Sequence, residues 1–99
     1  FAPDGMSRIQ SLHAYPNPFN PQLTIRYNLG ESSTVKMKIF NVRGHVIREL
    51  DFAEHQDVGY HELVWDGRDA RDQVAPTGVY FARLEAGAES QTIKLIALK

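Results

Sequence analysis

Leu23-Thr24-Ile25-Arg26-Tyr27-Asn28-Leu29 decides how the chain is read, because its apolar and polar residues alternate with a period of two. In an extended strand successive side chains leave opposite faces, so Leu23, Ile25, Tyr27 and Leu29 share one face and Thr24, Arg26 and Asn28 the other. That is the pattern of a half-buried strand. Val35, Met37 and Ile39 repeat it against Lys36 and Lys38. Asn41-Val42-Arg43-Gly44 then supplies a turn in which glycine takes positive φ without penalty, so a hairpin is predicted.

The same period runs outward in both directions. Ile9 to Tyr15 precedes the first stretch, and Val46 to Phe52 forms a mixed segment after the hairpin turn. Gly59 opens a further strand in which His61, Leu63 and Trp65 alternate with Tyr60, Glu62 and Val64. Trp65 to Gln73 is polar and rich in turn formers, and with Pro76 and Gly78 beyond it reads as a surface loop. Val79 to Ala86 and Gln91 to Leu98 are apolar on both faces, which predicts central or sheet-switching strands joined through Gly87. Seven short strands with frequent turns in 99 residues predict an all-β fold, an immunoglobulin-like β-sandwich of about seven antiparallel strands. A closed barrel is the alternative. Trp65 and Tyr80-Phe81 are expected in the core between the sheets.

Length and composition fit that reading. A chain of 99 residues with 42% hydrophobic and 23% charged side chains has the makeup of one globular domain. The expected boundaries are a linker or remnant over 1–8 and the folded domain over 9–99. The start at Phe1 predicts a piece of a longer protein. Eleven basic and twelve acidic side chains give a net charge of -1, which supplies no drive towards nucleic acid. No apolar run is long enough for a membrane helix, so no membrane insertion is expected. Without cysteine, disulfides and thiolate chemistry are excluded.

Candidate chemistry is sparse. His13, His45, His55 and His61 show no converging spacing; His61 reads as a rim histidine, His45 lies in a turn and His55 in an acidic loop, Glu54 to Asp57. Asp66, Asp69 and Asp72 recur every three residues and offer the hard oxygens that calcium takes. Their spacing departs from an EF-hand loop and Arg68 and Arg71 lie between them, so Asx turns and Asp–Arg pairs are the better reading. No nucleophile elbow, phosphate-binding glycine loop or basic aromatic patch is present. The chain is read as a non-enzyme with no cofactor, its function placed on a surface or terminus.

Tyr15-Pro16-Asn17-Pro18-Phe19-Asn20-Pro21 has a physical character of its own. Three prolines fix φ and remove three backbone donors, which predicts a rigid, extended edge; Asn17 and Asn20 are expected to cap turns and Phe19 to plug the sandwich end. Taken with Trp65-Asp66-Gly67-Arg68-Asp69, Thr77-Gly78-Val79-Tyr80-Phe81-Ala82-Arg83-Leu84 and Lys94-Leu95-Ile96-Ala97-Leu98-Lys99, this segment resembles one family over residues 12–99. The family is the C-terminal sorting domain of type IX secretion cargo, type A class. The related Ig-like domain of flagellar hook-capping proteins shares the Trp-Asp-Gly and Gly-x-Tyr elements but usually lacks the proline-rich segment.

The resemblance implies a non-catalytic domain at the end of secreted or surface-attached proteins of Bacteroidetes-type bacteria. It implies passage through the periplasm, recognition by the outer-membrane type IX secretion machinery, removal by a sortase, and an N-terminal passenger domain as its covalent partner. Residue by residue it points to Pro16, Asn17 and Pro18, to Gly78 and Tyr80, and to the terminal signal with Lys94 and Lys99. The last strand would offer its edge for receptor binding by strand addition, with the two lysines as charged handles. Gly78 and Tyr80 read rather as a structural corner, the tyrosine hydroxyl bonded back to the main chain. Asp72 departs from the family by standing where glycine is common, which would place a positive φ on an aspartate. Two other readings compete: a structural Ig-like spacer, and a carbohydrate- or protein-binding module with Phe19, Phe40, Tyr60 and Phe81 as its candidate exposed aromatics.

Overall fold

Alternation of buried and open side chains runs the length of the second strand, where Leu23, Ile25, Tyr27 and Leu29 are all sealed from solvent. The computed structural model describes residues 8–98, with the backbone alone at 51–54. Seven strands follow in order: β1 Ile9–Tyr15, β2 Leu23–Leu29, β3 Ser33–Phe40, β4 Val46–Gln56, β5 Gly59–Trp65, β6 Gly78–Ala86 and β7 Glu89–Ala97. They form a three-stranded sheet, β1-β2-β5, and a four-stranded sheet, β4-β3-β6-β7. Every pairing is antiparallel. The immunoglobulin-like sandwich expected from periodicity is therefore the fold, and no helix occurs among the described residues.

The core is what period two dictates. Ile25, Tyr27 and Leu29 from one sheet meet Val35, Met37, Ile39, Leu84 and Leu95 from the other, all within 1% of complete burial. Each such side chain contributes about 1.5–3 kcal/mol relative to staying exposed. Trp65, at the end of β5, is fully buried and is the largest of them. Its indole nitrogen donates to the Arg68 carbonyl at 2.9 Å, so its polar atom is satisfied inside the fold. The Asn41 turn forms as expected: Gly44 has φ 83°, and the Asn41 Oδ1 accepts from the backbone N–H of Arg43 and His45.

Four local expectations change. Phe81 lies on the outer face of β6 opposite Phe40, because it falls between the inward-facing Tyr80 and Ala82. β6 is central, but β7 is an edge strand. Residues 54–56 belong to β4 rather than to an acidic loop. β4 itself spends eleven residues against eight of β3, with register shifts beside Val35/Lys36, Met37/Lys38 and Ile39/Phe40. Each shift inserts one extra residue, a β-bulge, and Ile47 and Leu50 at two of them pack against the core. His61 is a rim residue as expected, stacked on Tyr27 at 5.5 Å with its Nε2 2.7 Å from the Asp57 carbonyl.

Candidate functional site

The prolines at 16, 18 and 21 leave Asn17, Phe19 and Asn20 as the donors of their segment, and two of these are spent on β7. The side-chain amide of Asn17 donates to the Lys94 carbonyl at 2.9 Å, and its Oδ1 accepts from the Ile96 N–H at 2.9 Å. One side chain thus reproduces the paired donor and acceptor of a neighbouring peptide group. Phe19 continues the seam through its backbone: its N–H donates to the Ile96 carbonyl and its carbonyl accepts from the Leu98 N–H, both at 2.9 Å. Phe19 and Ala97 form a parallel bridge.

These bonds alter two expectations. Tyr15-Pro16, Asn17-Pro18 and Asn20-Pro21 are cis, and the segment bends back over β7 rather than running as an extended edge. Asn17 ties two distant parts of the chain together instead of capping a local turn. The edge of β7 is therefore already occupied by the chain itself from Lys94 to Leu98, and it offers no free row of donors and acceptors there for strand addition.

Phe19 carries the seam into the core. Its ring is 3% exposed and lies 5.4 Å from Trp65, which meets Tyr80 edge-on at 6.0 Å. Phe19 is thus the plug at the sandwich end and not an exposed binding aromatic. The Tyr80 hydroxyl donates to the Pro76 carbonyl at 2.6 Å, the corner expected of it, and burial pushes its phenol above the ordinary value of 10.0. Gly67 has φ 79°, and a Cβ there would sit 2.4 Å from the Pro21 carbonyl oxygen. Only glycine fits between the Trp-Asp-Gly turn and the proline segment. The space left between them is about 20 Å³, room for no more than one water.

The acidic loop is held by its own bonds. Asp66 Oδ1 accepts from the Arg68 N–H at 2.9 Å and from Arg48 at 3.2 Å; Asp69 Oδ1 accepts from the N–H groups of Arg71 and Gln73. Asp72 faces Arg68 at 3.9 Å and has φ 64°, so the left-handed residue does fall on an aspartate. The three carboxylates form Asx turns and Asp–Arg pairs, and no cluster of three metal-ligating side chains occurs among the described residues.

Of the residues singled out in the sequence, Asn17, between Pro16 and Pro18, is bonded to the strand that carries Lys94, while Tyr80 packs edge-on against Trp65. Lys94 is exposed; Lys99 lies outside the described residues, as do 1–7. Sequence reasoning missed Arg48, whose guanidinium bonds both Asp66 and the Arg68 carbonyl, and Arg8, whose N–H meets Glu89 at 2.8 Å. Both act across 18 to 81 residues of chain, beyond the reach of any local pattern.

No curated protein sequence matches this chain significantly. Among solved structures it is similar to PorZ of Porphyromonas gingivalis, described as an essential bacterial surface component of the type-IX secretion system, with TM-score 0.60 and 18% identity over 89% of this chain and 11% of that one. It is similar to dimeric latent PorU of the same organism, with TM-score 0.69 and 18% identity over 96% of this chain and 10% of that one. FLGD of P. aeruginosa gives TM-score 0.61 and 19% identity over 92% of this chain and 74% of that one. The chain spans about a tenth of the two Porphyromonas proteins, and at these identities the likeness is one of fold. The FlgD Ig-like domain model matches residues 20–90, from the end of the proline segment into β7, and by that match the chain belongs to the FlgD Ig-like domain family.

Proposed function

We propose that this domain is a non-catalytic sorting signal of the type IX secretion system, and that the element read is the folded seam of Pro16–Phe19 on the terminal strand. The observation that carries this reading is the Asn17 bridge to Lys94 and Ile96, which makes one continuous surface of the terminal strand and the proline segment that the hook-capping relatives usually lack. The fold-level likeness to a described type IX surface component supports the same direction. In this reading the domain follows its N-terminal passenger through the periplasm to the cell surface or exterior, is bound by the outer-membrane machinery and is removed by a sortase. A receptor reads the seam with Lys94 beside it, instead of adding a strand to a bare β7.

The family match and the FLGD likeness favour a second reading, an Ig-like spacer or assembly domain of the hook-capping type. Export separates the two. The chain is fused behind a fluorescent reporter in a type IX host, with Lys94→Glu, Asn17→Ala and a core control, Val35→Ala, each checked for folding by circular dichroism. A sorting signal exports the parent fusion, loses export with Asn17→Ala or Lys94→Glu while remaining folded, and keeps it with Val35→Ala. Retention of the parent fusion in the cell, or export indifferent to both seam variants, rejects the seam as the signal.

A further inference from the structure

We propose that the outer edge of β5 docks an extended segment of a partner polypeptide, one with a basic side chain between two apolar ones. A two-sheet sandwich has four edge strands, here β1, β5, β4 and β7, and an edge presents unpaired main-chain groups to any chain of matching pattern. Three of the four are obstructed. β4 is broken by its bulges, and its Ile47 carbonyl is taken by the Ala70 N–H at 2.8 Å. β7 is covered by Asn17 and Phe19 along its second half, from Lys94 onward. β1 has a register shift between Ile9 and Ser11, has its Ile9 carbonyl taken by Gln91, and runs into Pro16.

β5 carries none of these devices. Its register against β2 is unbroken from Gly59 to Trp65, and it contains neither proline nor lysine. Among the described residues, no side chain or loop backbone is bonded to the main chain of residues 60–64. Apolar side chains are left open along it: Tyr60 is 63% and Val64 51% exposed, with Val58 at 62% just before the strand. In a constant-type immunoglobulin sandwich a fourth strand occupies the corresponding edge. Among the described residues no strand takes that place.

The chemistry of the edge selects its occupant. Tyr60, Glu62 and Val64 face the same side, so the strand presents apolar, acidic, apolar in sequence. Two neighbours hold that row in position: the Arg26 guanidinium lies 4.3 Å over the Tyr60 ring, and the Tyr15 hydroxyl donates to Glu62 Oε2 at 2.9 Å. An added strand matches it by placing Lys or Arg opposite Glu62 and apolar residues opposite Tyr60 and Val64. A second copy of this chain matches poorly, because the register that pairs Tyr60 with Val64 between copies sets the two Glu62 carboxylates face to face. This site is separate from the seam on β7 and stands or falls without it.

The test is a nuclear magnetic resonance titration of the full chain with the capped peptide Thr-Val-Arg-Val-Thr against Thr-Val-Glu-Val-Thr. The expected result is amide shifts confined to β5 and its neighbour β2, with the arginine peptide binding about fivefold or more tightly. Glu62→Lys should reverse that order, and Glu62→Gln should abolish it. Equal binding of both peptides, shifts centred on another strand, or a dimer in sedimentation that protects the β5 amides would each overturn the proposal.

Discussion

Tyr80 shows how one side chain serves both the core and the corner above it. Its ring packs edge-on against Trp65 while its hydroxyl holds the Pro76 carbonyl, so the loop before β6 is fixed to the same indole that Phe19 covers. Burial raises its pKa, which means the fold favours the neutral phenol over the phenolate. The sign follows from linkage. The folded value exceeds the unfolded one near 10.0, so the contribution of Tyr80 is complete below about pH 10 and is lost as pH rises through the folded value. Tyr80→Phe keeps the ring but deletes the hydrogen bond, and should cost about 1 kcal/mol at pH 7. It should also flatten the alkaline limb of the stability curve. Urea midpoints of both proteins from pH 7 to 11 check this, and a constant gap between the two curves would refute the linkage.

At the scale of the element, β7 and the proline segment behave as one unit. Asn17→Ala removes two hydrogen bonds but no core volume, so it should cost about 1–2 kcal/mol and leave the fold intact. Native-state amide exchange should quicken first at Ile96 and Leu98, the two donors that the C-terminal side gives to the seam, with β3 and β6 following only to the extent of the global loss. Uniform acceleration in every strand would argue against a locally opening seam. The elements themselves were unevenly legible from sequence. β2, β3 and β5 stood out because one face is core and the other open, so period two survives in the residues. β4 read as mixed because each bulge adds a residue and moves its apolar positions, Ile47 and Leu50, to a spacing of three. Phe81 was misplaced for a related reason: next to Tyr80, both aromatic, the sequence carries no sign of which faces inward.

For the whole molecule, the candidate site was legible as motifs but not as a place. Pro16 to Pro18, Trp65 to Gly67, Tyr80 and Lys94 were each visible, yet the bonds that join them span up to 79 residues, and sequence periodicity carries no record of such distances. The same closure makes the two ends interdependent. Glu89 receives the Arg8 N–H, Gln91 reaches the Ile9 carbonyl, and Ile96 and Leu98 hold Phe19 at the opposite end of the strand. Removing residues 94–99 therefore deletes more than a tail. It takes fully buried Leu95 and nearly buried Ala97 from the core, strips Phe19 of its backbone partners and leaves the Asn17 amide to water. Loss of a buried leucine alone costs about 2–5 kcal/mol, against a total stability of about 5–15 kcal/mol for a domain of ordinary size. The truncated chain should lose dispersed amide resonances and its cooperative thermal transition, whereas Lys94→Glu, which changes only an exposed charge, should keep both. A truncated chain that still melts cooperatively would mean that β7 is docked on an already complete sandwich.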